Sequence, residues 1–172
     1  MPGRVKWIER RFTFDFPADY YPEIAARLRG TPTRVEDLIR DVPGDRMRAK
    51  PGKLWSAQEH IGHLISVEEL LTARLDDFEA GKKVLTAADM ENKRTDRARY
   101  NDRPLPEVLT GLRRARGESM RRIEGYAPEL FARVARHPRL DVPMRLVDAL
   151  YFFAHHDDYH LARIYELLTS PV

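Results

Sequence analysis

The stretch FFAHHDDYHLARIYELL, residues 152–168, sets three histidines into an apolar run. At about 100° per residue, Leu146, Ala149, Leu150, Phe153, Ile164 and Leu167 form one stripe of a helix. His156 and His160 fall on that stripe, four residues apart, so their side chains project the same way from consecutive turns. His155 lies at its edge. A buried neutral imidazole needs partners for both nitrogens. A divalent metal removes the difficulty, because each ring gives a lone pair to the ion and donates its other N–H to a supporting group. The HExxH zinc helix uses the same spacing. Here the intervening residues are Asp157, Asp158 and Tyr159, so the glutamate of that motif is missing. The competing use of such a pair is two core histidines satisfied by hydrogen bonds.

A third histidine raises the case for metal. EHIGHL carries His60 and His63 on a helix whose apolar stripe runs Ile61, Leu64, Leu71, Leu75 and Phe78. His60 lies nearer that stripe, and His63 lies on its flank beside Val67. Periodicity supports a histidine from this helix and does not choose between the two. Acid–base candidates are Glu68, within the same stripe, and Asp157, with Asp158, beside His156. The alternative for Glu68 is an ion pair with an arginine from another helix. Tyr159 suits packing, with substrate orientation as the alternative. His137, in ARHPRL, reads as a surface turn residue.

The elements that must carry these residues are mostly helical. Phe12, Phe14 and Phe16 alternate with Thr13 and Asp15, a strand-like period with no second strand to pair with. Residues 1–17 therefore read as an extended arm whose phenylalanines lie on a helical body. A first helix begins near Asp19, with Pro22 in its first turn; Gly30 and Pro32 break or kink it before the pattern resumes through Val42. A second helix is capped by Ser56 with Glu59 three residues on, and stops at Gly81. That box makes Ser56 a cap rather than a nucleophile. Thr86 and Asp89 predict a short helix in AADMENKRTDRA, which would cover one end of the body. A third helix runs from the prolines of RPLPEVLTGL to Gly125, and PELFARVARH is a further helical piece. The fourth starts near LDVPMRL, with Asp141 as cap and Pro143 in the first turn, and continues to about Leu168. The expectation is an all-α four-helix bundle in one domain over residues 1–172.

Composition narrows the chemistry. The 172 residues are 42% apolar and 33% charged, as in a globular protein. There is no cysteine, so disulfides, a thiolate nucleophile of the chain's own, and cysteine-ligated zinc or iron–sulfur clusters are excluded. No segment has the length and apolarity of a membrane span, and the N-terminus lacks the apolar core of a signal peptide, so a cytoplasmic location is expected. The net charge is +3, from 30 bases and 27 acids. The densest basic run, GLRRARGESMRR, reads as a solvated helix face rather than a nucleic-acid surface. The expected partner is a small-molecule substrate, with no nucleic acid and no membrane.

WSAQEHIGHLISVEELLTARLDDFEAG, followed by FFAHHDDYHLARI, resembles the DinB-like superfamily of four-helix bundles, the DinB/YfiT type. Trp55 and Ser56 match the Trp-Ser/Thr opening of its second helix, His63 and Leu64 its His-Leu, and His156 and His160 its closing His-x-x-x-His. RRFTFDFP and AADMENKRT look like one branch of the group. The resemblance implies a divalent metal, zinc or nickel, held by His63, His156 and His160, and so favours His63 over His60. It also implies a possible homodimer. Relatives include thiol-dependent S-transferases, a maleylpyruvate isomerase, metal-dependent hydrolases and DNA-damage-inducible proteins.

Three neutral ligands leave an ion its full charge and an open position, the arrangement of catalytic rather than structural sites. That position can hold water, or equally a thiol as thiolate, which a cysteine-free chain would need from a low-molecular-weight thiol co-substrate. With S-transferases among the relatives that the resemblance brings, the leading expectation is a metal-dependent thiol S-transferase, in which the thiolate attacks an electrophilic carbon. The alternatives are a hydrolase using metal-bound hydroxide, a non-catalytic stress-response metal bundle, and a metal-free interaction protein. The substrate pocket is expected between the connection after the second helix and the broken first helix.

Overall fold

The computed structural model describes residues 5–169. Four long helices, α1 (Tyr21–Leu38), α3 (Ala57–Glu79), α5 (Leu105–Glu124) and α6 (Leu146–Thr169), are joined by shorter pieces. These are α2 (Gly44–Arg48), α4 (Lys93–Ala98) and a hairpin of β1 (Val134–Arg136) and β2 (Pro143–Arg145). Helices α1 and α3 each pack on both α5 and α6, so the apolar stripes meet in a four-helix bundle. One part of the core gathers Leu28, Phe78, Phe131, Leu150 and Phe153. Another gathers Val35, Ile61, Leu64, Leu112 and Ile164. Among the described residues no helix is long and apolar enough to cross a membrane.

The capping box forms as the sequence requires. Ser56 accepts the N–H of Glu59 at 3.1 Å, and Glu59 accepts the N–H of Ser56 at 2.8 Å. The N-terminal phenylalanines are half-buried and their intervening residues exposed. Phe12 packs edge-on to Phe152 at 4.8 Å between centroids, and Phe16 lies 5.0 Å from Tyr151.

Four local expectations are corrected. First, α1 is continuous through Gly30 and Pro32. Proline lacks the N–H that would bond the carbonyl of Leu28, and Nη1 of Arg116 donates to that carbonyl instead, at 2.7 Å. The break comes later, between α1 and α2. Second, Thr86 caps nothing. Its N–H donates to Asp77 and its carbonyl accepts from Nε of Arg74, which hold it outside any helix. Asp89 instead accepts the N–H groups of Glu91 and Arg94, and the helix is confined to α4.

Third, PELFARVARH is a turn of 3-10 helix (Pro128–Ala132) followed by β1. Exposed Val134, buried Ala135 and exposed Arg136 follow a period of two, and Ala135 pairs with Met144 in β2. Fourth, α6 begins at Leu146. Asp141 adopts a left-handed φ of 59°, and Pro143 belongs to β2. The start of α6 is fixed by Asp148, which accepts the N–H of Arg145 at 2.8 Å.

Arg116 also departs from the solvated face expected of its run. It is 3% exposed, whereas Arg113 and Arg114 face solvent. It donates to Glu68 at 2.6 Å through Nε and to Asp157 at 2.7 Å through Nη1, tying α5 to α3 and α6. Ser119 and Thr31 complete the set, donating to Glu68 at 2.6 Å and to Asp157 at 2.7 Å. Burial alone would lower the Arg116 pKa, but the charges of Asp157 and Glu68 raise it.

Candidate metal centre

Helix α3 supplies His63 and α6 supplies His156 and His160. Their ligand nitrogens lie within 4.8 Å of one another. Nε2 of His156 is 3.2 Å from Nε2 of His160 and 3.4 Å from Nε2 of His63. Two nitrogens bound tetrahedrally to zinc at ~2.0–2.1 Å stand ~3.4 Å apart, so the three rings fit one ion. Burial is the largest cause lowering the pKa of His63 and of His156, each to about 3, and that of His160. All three are neutral at pH 7 and their lone pairs are available.

The supporting groups explain how the rings are held. Nδ1 of His63 lies 2.9 Å from Oγ1 of Thr95, a buried residue of α4. Nδ1 of His160 lies 2.8 Å from Nδ1 of His60. In the tautomers that leave both Nε2 atoms unprotonated, these Nδ1–H groups donate to Thr95 and His60. The two histidines of α3 therefore hold different places: His63 joins the triad, and His60 orients it from behind. Nδ1 of His156 is buried without a hydrogen-bond partner, and the indole of Trp7 packs edge-on to that ring at 5.0 Å. Trp55 lies 4.7 Å from His63. His155 sits outside, half-buried against Tyr151 and Phe12.

The family model of the DinB superfamily matches residues 27–164. The chain belongs to the DinB superfamily. Among solved structures it is similar to YfiT from Bacillus subtilis, described as a probable metal-dependent hydrolase with an unusual four-helix bundle topology. The TM-score is 0.74 at 15% identity, over 92% of this chain and 91% of that one. No curated protein matches the chain.

In this DinB-superfamily chain the triad opens onto a cavity of about 1090 Å³. Its wall comes from α3, α6, the connection between α3 and α5, the N-terminal arm through Trp7, and the hairpin turn at His137–Arg139. The connection takes its expected place. The first helix does not, since no residue of α1 lines the cavity. Glu68 and Asp157 also lie outside the wall, in the Arg116 network.

His137 is not a surface residue. It is 2% exposed, and its Nδ1 accepts the N–H groups of Leu140 at 3.1 Å and Arg139 at 3.3 Å. Sequence reasoning also missed Trp7 and Thr95. Trp7 arrives with an arm of no regular helix pattern. Thr95 sits in a connection whose register depends on Asp89.

Proposed function

We propose that the protein is a metal-dependent enzyme that transfers a low-molecular-weight thiol to an electrophilic carbon. His63, His156 and His160 hold the ion, with His60 and Thr95 orienting two of the rings. Zinc and nickel both suit three imidazoles. A divalent ion there supplies the positive charge that makes a bound thiol or water acidic at neutral pH.

The observation that favours thiol transfer over hydrolysis is the make-up of the cavity wall. Its carboxylates are Glu69 and Asp89. Glu69 pairs with Arg94, and Asp89 accepts backbone N–H groups, so both are engaged. Hydrolysis of an ester or amide needs a group to return a proton to the leaving atom, and beyond the carboxylates the wall offers His60, already bonded to His160, and Tyr159, against Arg10 and Trp7. A thiol held at the ion would release its proton to solvent, and its sulfur would form the C–S bond as a leaving group departs from that carbon as a stable anion, so no proton need be returned. The wall supplies what that reaction uses: apolar surface from Leu70, Phe152 and Phe153, and aromatic faces from Trp7 and Trp55. In this reading Glu68 and Asp157 are positioning residues that hold α3 and α6 in register through Arg116.

The test is cobalt substitution. Added thiol should give the thiolate-to-cobalt charge-transfer band, and the loaded protein should then consume an electrophile in step with thiol. A cobalt protein whose spectrum ignores every thiol, but which cleaves esters or phosphoesters, would establish the hydrolase described for YfiT instead.

A further inference from the structure

The cavity wall carries a second polar pair besides the histidines of the triad. Arg74, eleven residues beyond His63 on α3, is 2% exposed and lines the wall. Its Nε donates to the carbonyl of Thr86 at 3.1 Å, and its guanidinium lies over the Phe153 ring at 5.7 Å. Among the described residues no carboxylate pairs with it. Asp77, one turn on, is held by Lys82 at 2.7 Å and by the N–H of Thr86. Burial lowers the Arg74 pKa to about 10, which still leaves it charged at pH 7.

His137 also lines the cavity, near enough to Arg74 for that charge to act on it, and lies 5.5 Å from Phe152 between ring centroids. Because its Nδ1 accepts backbone N–H groups, its proton resides on Nε2. That Nε2 is buried and has no partner. The Asp77 charge supports Arg74 only through space, since its oxygens are taken by Lys82 and Thr86. A buried donor without a partner, and a buried guanidinium with no carboxylate bonded to it, each cost free energy that a bound acceptor would recover.

We propose that Arg74 and His137 form a carboxylate-binding subsite that anchors the far end of the ligand whose near end meets the histidine triad. A carboxylate offers two coplanar acceptor oxygens to the guanidinium fork, and a further lone pair to the imidazole N–H. A single negative charge matches the single buried cation. The wall agrees in sign: Lys6, Lys53 and Arg139 join Arg74, while Arg94 and Arg163 are paired with Glu69 and Glu166 and Asp89 accepts backbone N–H groups. Eleven residues of helix rise ~16 Å, and His63 and Arg74 both lean back towards the helix N-terminus, so that rise carries over to their functional ends. Less a metal–sulfur bond of ~2.3 Å and a charge-assisted contact of ~2.8 Å, the ligand spans roughly 10 Å between metal end and carboxylate. This rests on the thiol-transfer reading only for what binds the near end. The carboxylate can belong to the thiol or to the electrophile.

The experiment titrates zinc-loaded protein with 8-mercaptooctanoate and with 8-mercapto-1-octanol, read by calorimetry and by fluorescence of Trp7 and Trp55. The two probes share the thiol, so their difference reports the carboxylate. The acid should bind at least ~10-fold more tightly, the strength of one charge-assisted hydrogen bond. Arg74→Gln should abolish that preference without changing zinc content, Arg74→Lys should keep part of it, and His137→Asn should reduce it. Equal binding of acid and alcohol to wild-type protein would overturn the subsite whether or not the variants fold. So would a preference that survives Arg74→Gln.

A parallel titration of metal-free protein with octanoate and 1-octanol separates this from the metal reading. Failure to load zinc would sink thiol transfer and leave the octanoate preference standing. Thiol binding to zinc with no acid preference would do the reverse. Acid preference with a carboxylate on the thiol, but none with a carboxylate on a competing electrophile analogue, would assign the subsite to the thiol.

Discussion

Nη1 of Arg116 donates to the carbonyl of Leu28 at 2.7 Å, and that carbonyl is free because Pro32 stands four residues on. A residue that would interrupt an isolated helix is thus accommodated by a cation from a neighbouring one. The same guanidinium holds Glu68 of α3 and Asp157 of α6. Because Asp157 adjoins His156, the network fixes the α6 register on which the triad depends.

Replacing Pro32 by alanine should therefore gain little. An internal proline costs ~3 kcal/mol in an unsupported helix. Here the restored N–H competes with Arg116 for one carbonyl, so denaturant melts should show a gain well under that value.

Removing Arg116 leaves two buried carboxylates without their cation. Arg116→Met should cost ~3–5 kcal/mol, the usual penalty for breaking a buried pair from one side. Urea unfolding checks it. A loss under ~1 kcal/mol, as for surface ion pairs, would mean the network is solvated.

A methyl group on Gly62 would sit 2.1 Å from Cγ of the Tyr100 ring. That ring is buried on α3, and its hydroxyl lies 3.1 Å from Oγ of Ser66. Gly62→Ala should cost ~1–3 kcal/mol by overpacking. Gly62 precedes His63, so zinc affinity should fall with it. Stability curves and zinc competition read the two effects separately.

The rings' supports should be measurable apart from the ligands. Thr95→Val and His60→Phe should each weaken metal binding ~10–100-fold while leaving one ion per chain at saturation. Chelator competition gives the constants. His60→Phe protein that no longer takes up metal would make His60 a ligand.

His137 gives the pH prediction. Burial lowers its pKa from 6.5 to about 4, so between these values the unfolded chain binds the proton and the folded chain does not. Its contribution is complete above pH 6.5 and is lost as pH falls towards 4. His137→Asn keeps a side-chain acceptor for the turn and removes the titration. Its stability should fall less than that of wild type across that window, by denaturant titration at each pH.

The bundle was legible because α3, α5 and α6 carry long apolar periods and α3 an explicit capping box. The site was legible for a local reason too: His156 and His160 share a helix face, so spacing alone makes them neighbours. What joins separate elements was not. His60 and His63 both fit a wheel, and the family resemblance rather than periodicity favoured His63. The partner of Glu68 lay in a run of arginines that reads as surface, since one helix in isolation does not show that Arg116 points inward. The hairpin failed for the opposite reason. Short segments such as Val134–Arg136 carry too few residues to separate a period of two from one of 3.6. His137 and Arg74 acquire their meaning from a cavity that forms only when the arm, the hairpin and two helices come together.

His63, His156 and His160 together are assigned one divalent ion. Elemental analysis decides this, on protein purified without a histidine tag and reconstituted with zinc, for wild type and for each of these histidines and His155 replaced by alanine. The expected result is one ion per chain in wild type, lost in His63→Ala, His156→Ala and His160→Ala and kept in His155→Ala. No ion in reconstituted wild type, or undiminished metal in any of the three triad variants, would contradict it.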